Sequence, residues 1–277
     1  MRLADGYGRA RPLLAGALAK ILDDSKAMMA DGWTWTLQAT FLEIYNDTLR
    51  DLLHDHKKGE LPNYAIRPDD AWGMVVANMA RVEINSMEQI NKLMAKASKA
   101  RAVGCTDMNS QSSRSHSIFA LYLKGVNTKL GVEHLGSLNL VDLAGSERLD
   151  KSGAVGAALK ETQAINKSLS ALAHVFVAKA KGNSHVSYRD SKLTHLMMPC
   201  LSGNGKTLMV VNVRPDQENA HETLCALRFA KDVNQCDTGG GSKPKKHERP
   251  VSADAAVPEA KQSKSESSSK APPRAGK

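Results

Sequence analysis

The sequence predicts an α/β fold, and three observations carry that expectation. Strand-like and helix-like stretches alternate along most of the 277 residues. The hydrophobic share, 42%, is enough to bury a core over most of that length. An apolar strand containing Leu138, Leu140 and Val141 runs straight into Asp142, with Gly145 three residues on. An acid at the end of a buried strand, followed by a glycine, suits a site that holds magnesium and senses a terminal phosphate.

The elements follow in order. "WTWTLQATFLEIY", 33–45, alternates apolar and polar β-formers and is expected to be a long strand with one covered face. "NDTLRDLLH" reads as a short helix capped by Asn46 or Asp47. A loop with Pro62 and Pro68 leads to short strands within "MVVANMARVEI". Ser86 and Gln89 form a capping box, and the helix it starts buries Ile90, Leu93, Met94 and Ala97 before Gly104 stops it. "HSIFALYLKG", 116–125, and "SLNLVD" are strands. "LKETQAINKSLSALAHVFVAKAKG", 159–182, is a long helix with Ile165, Leu169, Leu172 and Phe176 on one stripe and Gly182 at its end. "SKLTHLMMPCL" is a helix broken at Pro199, "TLMVVNV", 207–213, a buried strand, and "ENAHETLCALRFAKDVN" a final helix. No internal repeat is present.

Composition narrows the function classes. Cys105, Cys200, Cys225 and Cys236 form no C-x-x-C pair, so neither a zinc ribbon nor a disulfide framework is indicated. No signal peptide and no apolar run near 18 residues is found, so a soluble cytoplasmic protein is expected. The net charge is +9, and residues 238–277 hold nine Lys or Arg against four Asp or Glu. That tail opens on Gly239-Gly240-Gly241, is rich in Pro, Ser and Lys, and is expected to be disordered. A basic flexible tail can touch an anionic polymer or simply be solvated.

A second polar stretch, "NSQSSRSHSIF", 109–119, lies between a helix end and a strand start, where loops commonly hold ligands. Ser112 and Ser113 can donate to phosphate oxygens or ligate magnesium, and Arg114 offers a planar fork for a carboxylate or phosphate. Gly145 can give its backbone N–H to a γ-phosphate, because a side chain there would block close approach. Arg114 and Glu147 can pair across the site when both loops close around a nucleotide, which makes the pair a switch.

"NSQSSRSH" resembles switch I, and "LVDLAGSE" switch II, of the kinesin motor domain; myosins share a related pair. "KETQAINKSLSAL", "HVSYRDSKLT", "GNGKTLMVVNV", "ETLCALRFA" and "FLEIYNDTLRDLL" are similar to kinesins, so the resemblance covers about 10 to 235. "LRFAKDVNQC" before a short basic tail resembles kinesins with C-terminal motors, the minus-end-directed class. The resemblance implies a P-loop NTPase motor fold with a central, mostly parallel sheet and helices on both faces. It implies a motor region over 1–237 and a tail over 238–277. By position, Asn109, Ser112, Ser113 and Arg114 match switch I, with Ser113 the magnesium-side hydroxyl. Asp142, Gly145 and Glu147 match switch II, with Asp142 holding magnesium through water and Glu147 partnering Arg114. The implied microtubule face offers Lys167, Lys179, Lys181, Arg189 and Lys192, cations suited to an acidic filament.

The phosphate cradle G-x-x-x-x-G-K-[ST] is missing. "GNGKT", 203–207, has Cys200 where the first glycine belongs and precedes a strand, whereas a cradle precedes a helix. The resemblance therefore implies a motor domain without its N-terminal strands and P-loop, with the cradle encoded upstream of Met1. Departures from the kinesin pattern include Ala158 for Arg, Ser187 for Pro, Ala173 for Gly, Arg214 for Ser, and Pro199-Cys200 for a polar pair. The leading expectation is a microtubule-binding motor whose complete form hydrolyses ATP with magnesium and moves along microtubules. The alternative is a non-catalytic microtubule-binding module with the same fold. Cytoplasmic microtubules are the expected location, no nucleic-acid or membrane partner is expected, and dimerisation would need a stalk outside this chain.

Overall fold

A computed structural model describes residues 10–55, 62–103, 114–145, 157–203, 205–236 and 248–250. Strand β1 (Trp33–Tyr45) is the spine of a six-stranded sheet. Strand β2 (Thr48–Asp51) folds back on it through Asn46 and Asp47, whose φ values of 48° and 52° are left-handed. Two adjacent residues of that conformation make the tight turn whose twist matches a hairpin, and Asn and Asp tolerate it. This corrects the short helix expected at "NDTLRDLLH". Its Leu49, Leu52 and Leu53 have helical spacing, but the backbone pairs with Leu42–Tyr45 instead.

Strands β3 (Ile66–Asp69) and β4 (Gly73–Val76) form a separate hairpin. The Asp69 carboxylate closes its turn by accepting from the Ala71 and Trp72 N–H groups at 2.9 Å each. The short β5 (Val82–Glu83) pairs β1 at Gln38 and Ala39. Strands β6 (Ser115–Asn127) and β7 (Val132–Asp142) form a long hairpin, with Gly131 at φ 65° in its turn. Strand β8 (Glu248–Pro250), from the stretch expected to be disordered, pairs with Val132–His134 of β7. The order is β2-β1-β6-β7-β8, and every described pairing is antiparallel. The expected parallel character is thus absent from the described strands. Tight turns join β1 to β2 and β6 to β7, and a tight turn can connect only antiparallel neighbours.

Helices cover both faces, as the resemblance implies. Helix α1 (Ala10–Met28), an addition to the expected elements, and α2 (Met87–Val103) share one face. Leu14, Leu18 and Leu22 of α1 meet Ile90, Met94 and Ala97 of α2 over Leu37, Ala39, Phe41, Phe119 and Leu121. Phe41 and Phe119 pack edge to face at 5.6 Å. The capping box forms in outline: the Gln89 N–H donates to Ser86 Oγ at 3.3 Å, while Gln89 Oε1 accepts from the Asn85 N–H at 2.8 Å.

The opposite face holds α3 (Ala157–Ala180), α4 (Lys192–Leu196), α5 (Met198–Leu201) and α6 (Ala220–Asn234). Leu172, Val175 and Phe176 of α3 pack with Leu193 and Leu196 of α4 on Leu42, Ile44 and Ile118. Phe176 meets Phe229 of α6 at 6.0 Å. Side chains of this size stabilise by about 1.5–3 kcal/mol each when fully buried. Gly182, at φ 67°, ends the α3 region in the left-handed conformation that glycine adopts without strain. The break between α4 and α5 falls at Met197, and Pro199 sits in the first turn of α5, where its missing N–H costs nothing.

One expected element is not there. Residues 207–213 form no strand, and Leu208, Val210 and Val213 are 85%, 62% and 49% exposed. An apolar run becomes a buried strand only between neighbours that take its backbone bonds, and no described strand pairs with it. Among the described residues no helix is long and apolar enough to cross a membrane.

Candidate functional site at the C-terminal end of strand β7

The sheet brings the two singled-out stretches to one edge. Ser117 of β6 stands opposite Asp142 of β7, so Arg114, just ahead of β6, lies at the same end as Gly145. Asn109, Ser112, Ser113 and Glu147 lie outside the described residues, and so does any pairing of Arg114 with Glu147. Of the predicted nucleotide-site residues, the structure thus places Arg114, Asp142 and Gly145.

Asp142 ends its strand with a side chain 40% exposed. Burial pushes its carboxyl above the usual range, and the Arg101 guanidinium, with Nη1 3.7 Å from Oδ2, opposes that rise. Arg101 belongs to a charged core that sequence reasoning missed. Glu43, near the C-terminal end of β1, is fully buried; its Oε1 accepts from Arg101 Nε at 3.3 Å and from Ser115 Oγ at 2.8 Å. Its other oxygen accepts from Arg50 Nη1 of β2 at 3.3 Å. Arg101 Nη2 also donates to the Ser115 carbonyl and hydroxyl at 3.3 and 3.1 Å. One buried carboxylate therefore ties β1, β2, α2 and the start of β6 together. A glutamate inside the apolar run "FLEIY" was the available signal, since a buried charge needs partners.

His116 also escaped the sequence reading. It is 3% exposed; its Nδ1 accepts from the Ala144 N–H at 3.0 Å, and its Nε2 lies 2.7 Å from Ser168 Oγ on α3. Burial first, and the Arg101 charge second, lower its pKa to about 4.

This arrangement can hold a hydrated cation near Asp142. The described residues contain no group of three His, Cys, Asp or Glu able to hold a metal by themselves. A single strand-end carboxylate that is partly open to solvent fits magnesium bound through water, the usual manner for that ion beside phosphates.

The predicted filament-facing cations lie on α3 and on the segments that follow it, as far as α4. Lys167 and Lys179 are on α3, Lys181 follows it, Arg189 lies in the turn Tyr188–Asp190, and Lys192 opens α4. Lys167, Lys181 and Arg189 are exposed; Lys179 and Lys192 are half-buried. Val186 and Tyr188 pack into the cluster formed by α3 and α4, so these cations ride on one packed unit. His195 on α4 is held below the usual histidine range by burial and then by Arg189.

Comparison with known proteins places this geometry. Residues 6–236 match the model of the kinesin motor domain. Kinesin-like protein KIN-14N of Oryza sativa subsp. japonica is 46% identical over 231 residues, covering 82% of this chain and 30% of that protein. The chain therefore spans about a third of that relative. A solved C-terminal motor and motor homology domain of Kar3Vik1, fused to a synthetic coiled coil, superposes with a TM-score of 0.72 at 39% identity. That match covers 80% of this chain and 57% of the other. A KIF14 dimer solved in complex with a microtubule gives a TM-score of 0.66 at 32% identity, covering 77% and 63%.

Proposed function

Because the chain belongs to the kinesin motor-domain family, we propose that it is the nucleotide-sensing and microtubule-binding part of an ATP-driven, microtubule-based motor. The observation that supports this reading is a hydrogen-bonded link from the end of β7 to α3, the helix that also carries two of the candidate filament-binding lysines. The Ala144 N–H, two residues after Asp142, meets Ser168 of α3 through His116, while Lys167 and Lys179 stand on α3 itself. The kinship with C-terminal motors supports the same class, and microtubules of the cytoplasm are the corresponding location.

Magnesium-ATP, when bound, supplies the scissile phosphoanhydride and neutralises its charge. The chain's own residues position and sense. Asp142 would hold magnesium through water, Ser113 would be the magnesium-side hydroxyl, and Asn109 and Ser112 of the same stretch would help bind the nucleotide. Gly145 offers its N–H where a side chain would obstruct the γ-phosphate. Arg114 would pair with Glu147, which would belong to the network that activates the attacking water. The phosphate cradle is absent from these 277 residues, so phosphate affinity must come from elsewhere in a complete motor. The tail over 238–277 is an additional basic segment rather than part of the catalytic region.

Co-sedimentation with stabilised microtubules tests the reading. The 277-residue chain should pellet with microtubules at low salt and progressively less as salt rises, because exposed charges are screened within roughly 8–10 Å at physiological ionic strength. Failure to pellet at any ionic strength, from a folded preparation, would oppose it.

A further inference from the structure

We propose that His116 is a positioning residue that couples the loop after β7 to α3, holding the Ala144 N–H and the Ser168 hydroxyl in one hydrogen-bonded chain. The direction of every bond follows from donor chemistry. A backbone N–H can only donate, so the Nδ1 that lies 3.0 Å from Ala144 N must be unprotonated. A neutral ring then carries its proton on Nε2 and donates it to Ser168 Oγ at 2.7 Å. The Ser168 hydroxyl, having accepted, donates its own proton to the Ile165 carbonyl at 2.8 Å. The chain runs in one sense, from Ala144 through the ring to Ser168 and on to Ile165, and each donor is used once.

The three residues are 4%, 3% and 6% exposed, so water does not compete for these bonds. Depression of the His116 pKa to about 4, through burial and then Arg101, keeps the ring neutral as this chain requires. The ends of the relay matter. Ala144 lies between Asp142 and Gly145, and Ser168 is next to Lys167 on the helix proposed to face the filament. A displacement of α3 along its axis strains the Nε2–Oγ bond, and the ring passes it to the Ala144 N–H. A rigid ring with two specific partners transmits such a shift better than a general packing contact, because its bonds fail over a few tenths of an ångström. The functional consequence rests on the proposed microtubule reading; the relay geometry does not.

The test uses the 277-residue chain labelled with nitrogen-15. Long-range imidazole spectra should show His116 as the Nε2–H tautomer at neutral pH. Amide exchange at Ala144 should be slow in the unaltered chain and at least tenfold faster in His116→Gln, whose side-chain amide can still donate toward Ser168 but offers no acceptor at the Nδ1 position. His116→Asn, whose Oδ1 takes the place of Nδ1, should restore protection of Ala144 without restoring the link to Ser168. Adding microtubules should alter Ala144 exchange in the unaltered chain, lose that effect in Ser168→Ala and His116→Asn, and regain it in Ser168→Thr, which restores the hydroxyl. An Nδ1–H tautomer, or a microtubule effect on Ala144 that persists in both Ser168→Ala and His116→Asn, would overturn the proposal. Sedimentation of the same samples separates the two ideas. A chain that never binds microtubules refutes the functional reading, and the tautomer with the His116→Gln and His116→Asn exchange rates then decides the relay alone.

Discussion

Acidification should destabilise this protein through His116. An exposed histidine has a pKa near 6.5, and that of His116 is lowered to about 4 by burial and by Arg101. The folded state therefore favours the neutral ring. Stability from this group is fully present above pH 6.5 and is lost as pH falls toward 4, because the unfolded chain takes up the proton first. A tenfold difference in proton affinity between the folded and unfolded chain is worth about 1.4 kcal/mol. The full effect is therefore about 3 kcal/mol, and at pH 5 about 2 kcal/mol is already gone. Urea unfolding of the unaltered chain and of His116→Gln, at pH 8 and pH 5, isolates the contribution. The two proteins share every other titrating group, His195 included, and glutamine does not titrate. The difference in their stability should shrink by about 2 kcal/mol on going to pH 5. A difference independent of pH would refute the neutral, Nδ1-accepting ring.

Three further outcomes follow from particular contacts. Glu43→Ala should cost about 3–5 kcal/mol in urea unfolding, because it leaves the buried Arg101 without its principal counter-charge; a loss under about 1 kcal/mol would place Arg101 in water. Gly125→Ala should cost about 1–3 kcal/mol and shift tryptophan fluorescence, since the new methyl would stand 2.7 Å from the Trp35 ring; an unchanged spectrum and stability would contradict that packing. The paired change Leu208→Lys and Val210→Lys should stay within about 0.5 kcal/mol per site and reduce concentration-dependent association seen by light scattering. A loss of several kcal/mol would instead mark 207–213 as the buried strand its composition suggests.

That last contrast shows where sequence was legible and where it was not. α2, α3 and α6 were readable because periodicity, caps and terminators agree locally. The β1 and β6 strands were readable because their apolar residues alternate or run unbroken. "NDTLRDLLH" was misread because its leucines have helical spacing, while the deciding fact, pairing with Leu42–Tyr45, lies across a turn. Residues 207–213 were misread because an apolar run says nothing about whether strands flank it. At the site, Arg114, Asp142 and Gly145 could be singled out from local motif chemistry. Glu43 and Arg101 meet across 58 residues, and His116 meets Ala144 and Ser168 across 28 and 52. No local pattern encodes those distances.

Charge reversal on the α3–α4 face tests the central claim most directly. The combined variant Lys181→Glu, Arg189→Glu and Lys192→Glu should be compared with a control that reverses Lys20, Lys92 and Lys99, three exposed cations of α1 and α2 on the other face of the sheet. Both variants lose the same charge, so a nonspecific attraction to an acidic polymer would weaken equally in each. Microtubule co-sedimentation at physiological salt should be lost in the first and largely retained in the control. Equal loss in both, or retained binding in the α3–α4 variant, would contradict the assignment of this chain's microtubule-binding face.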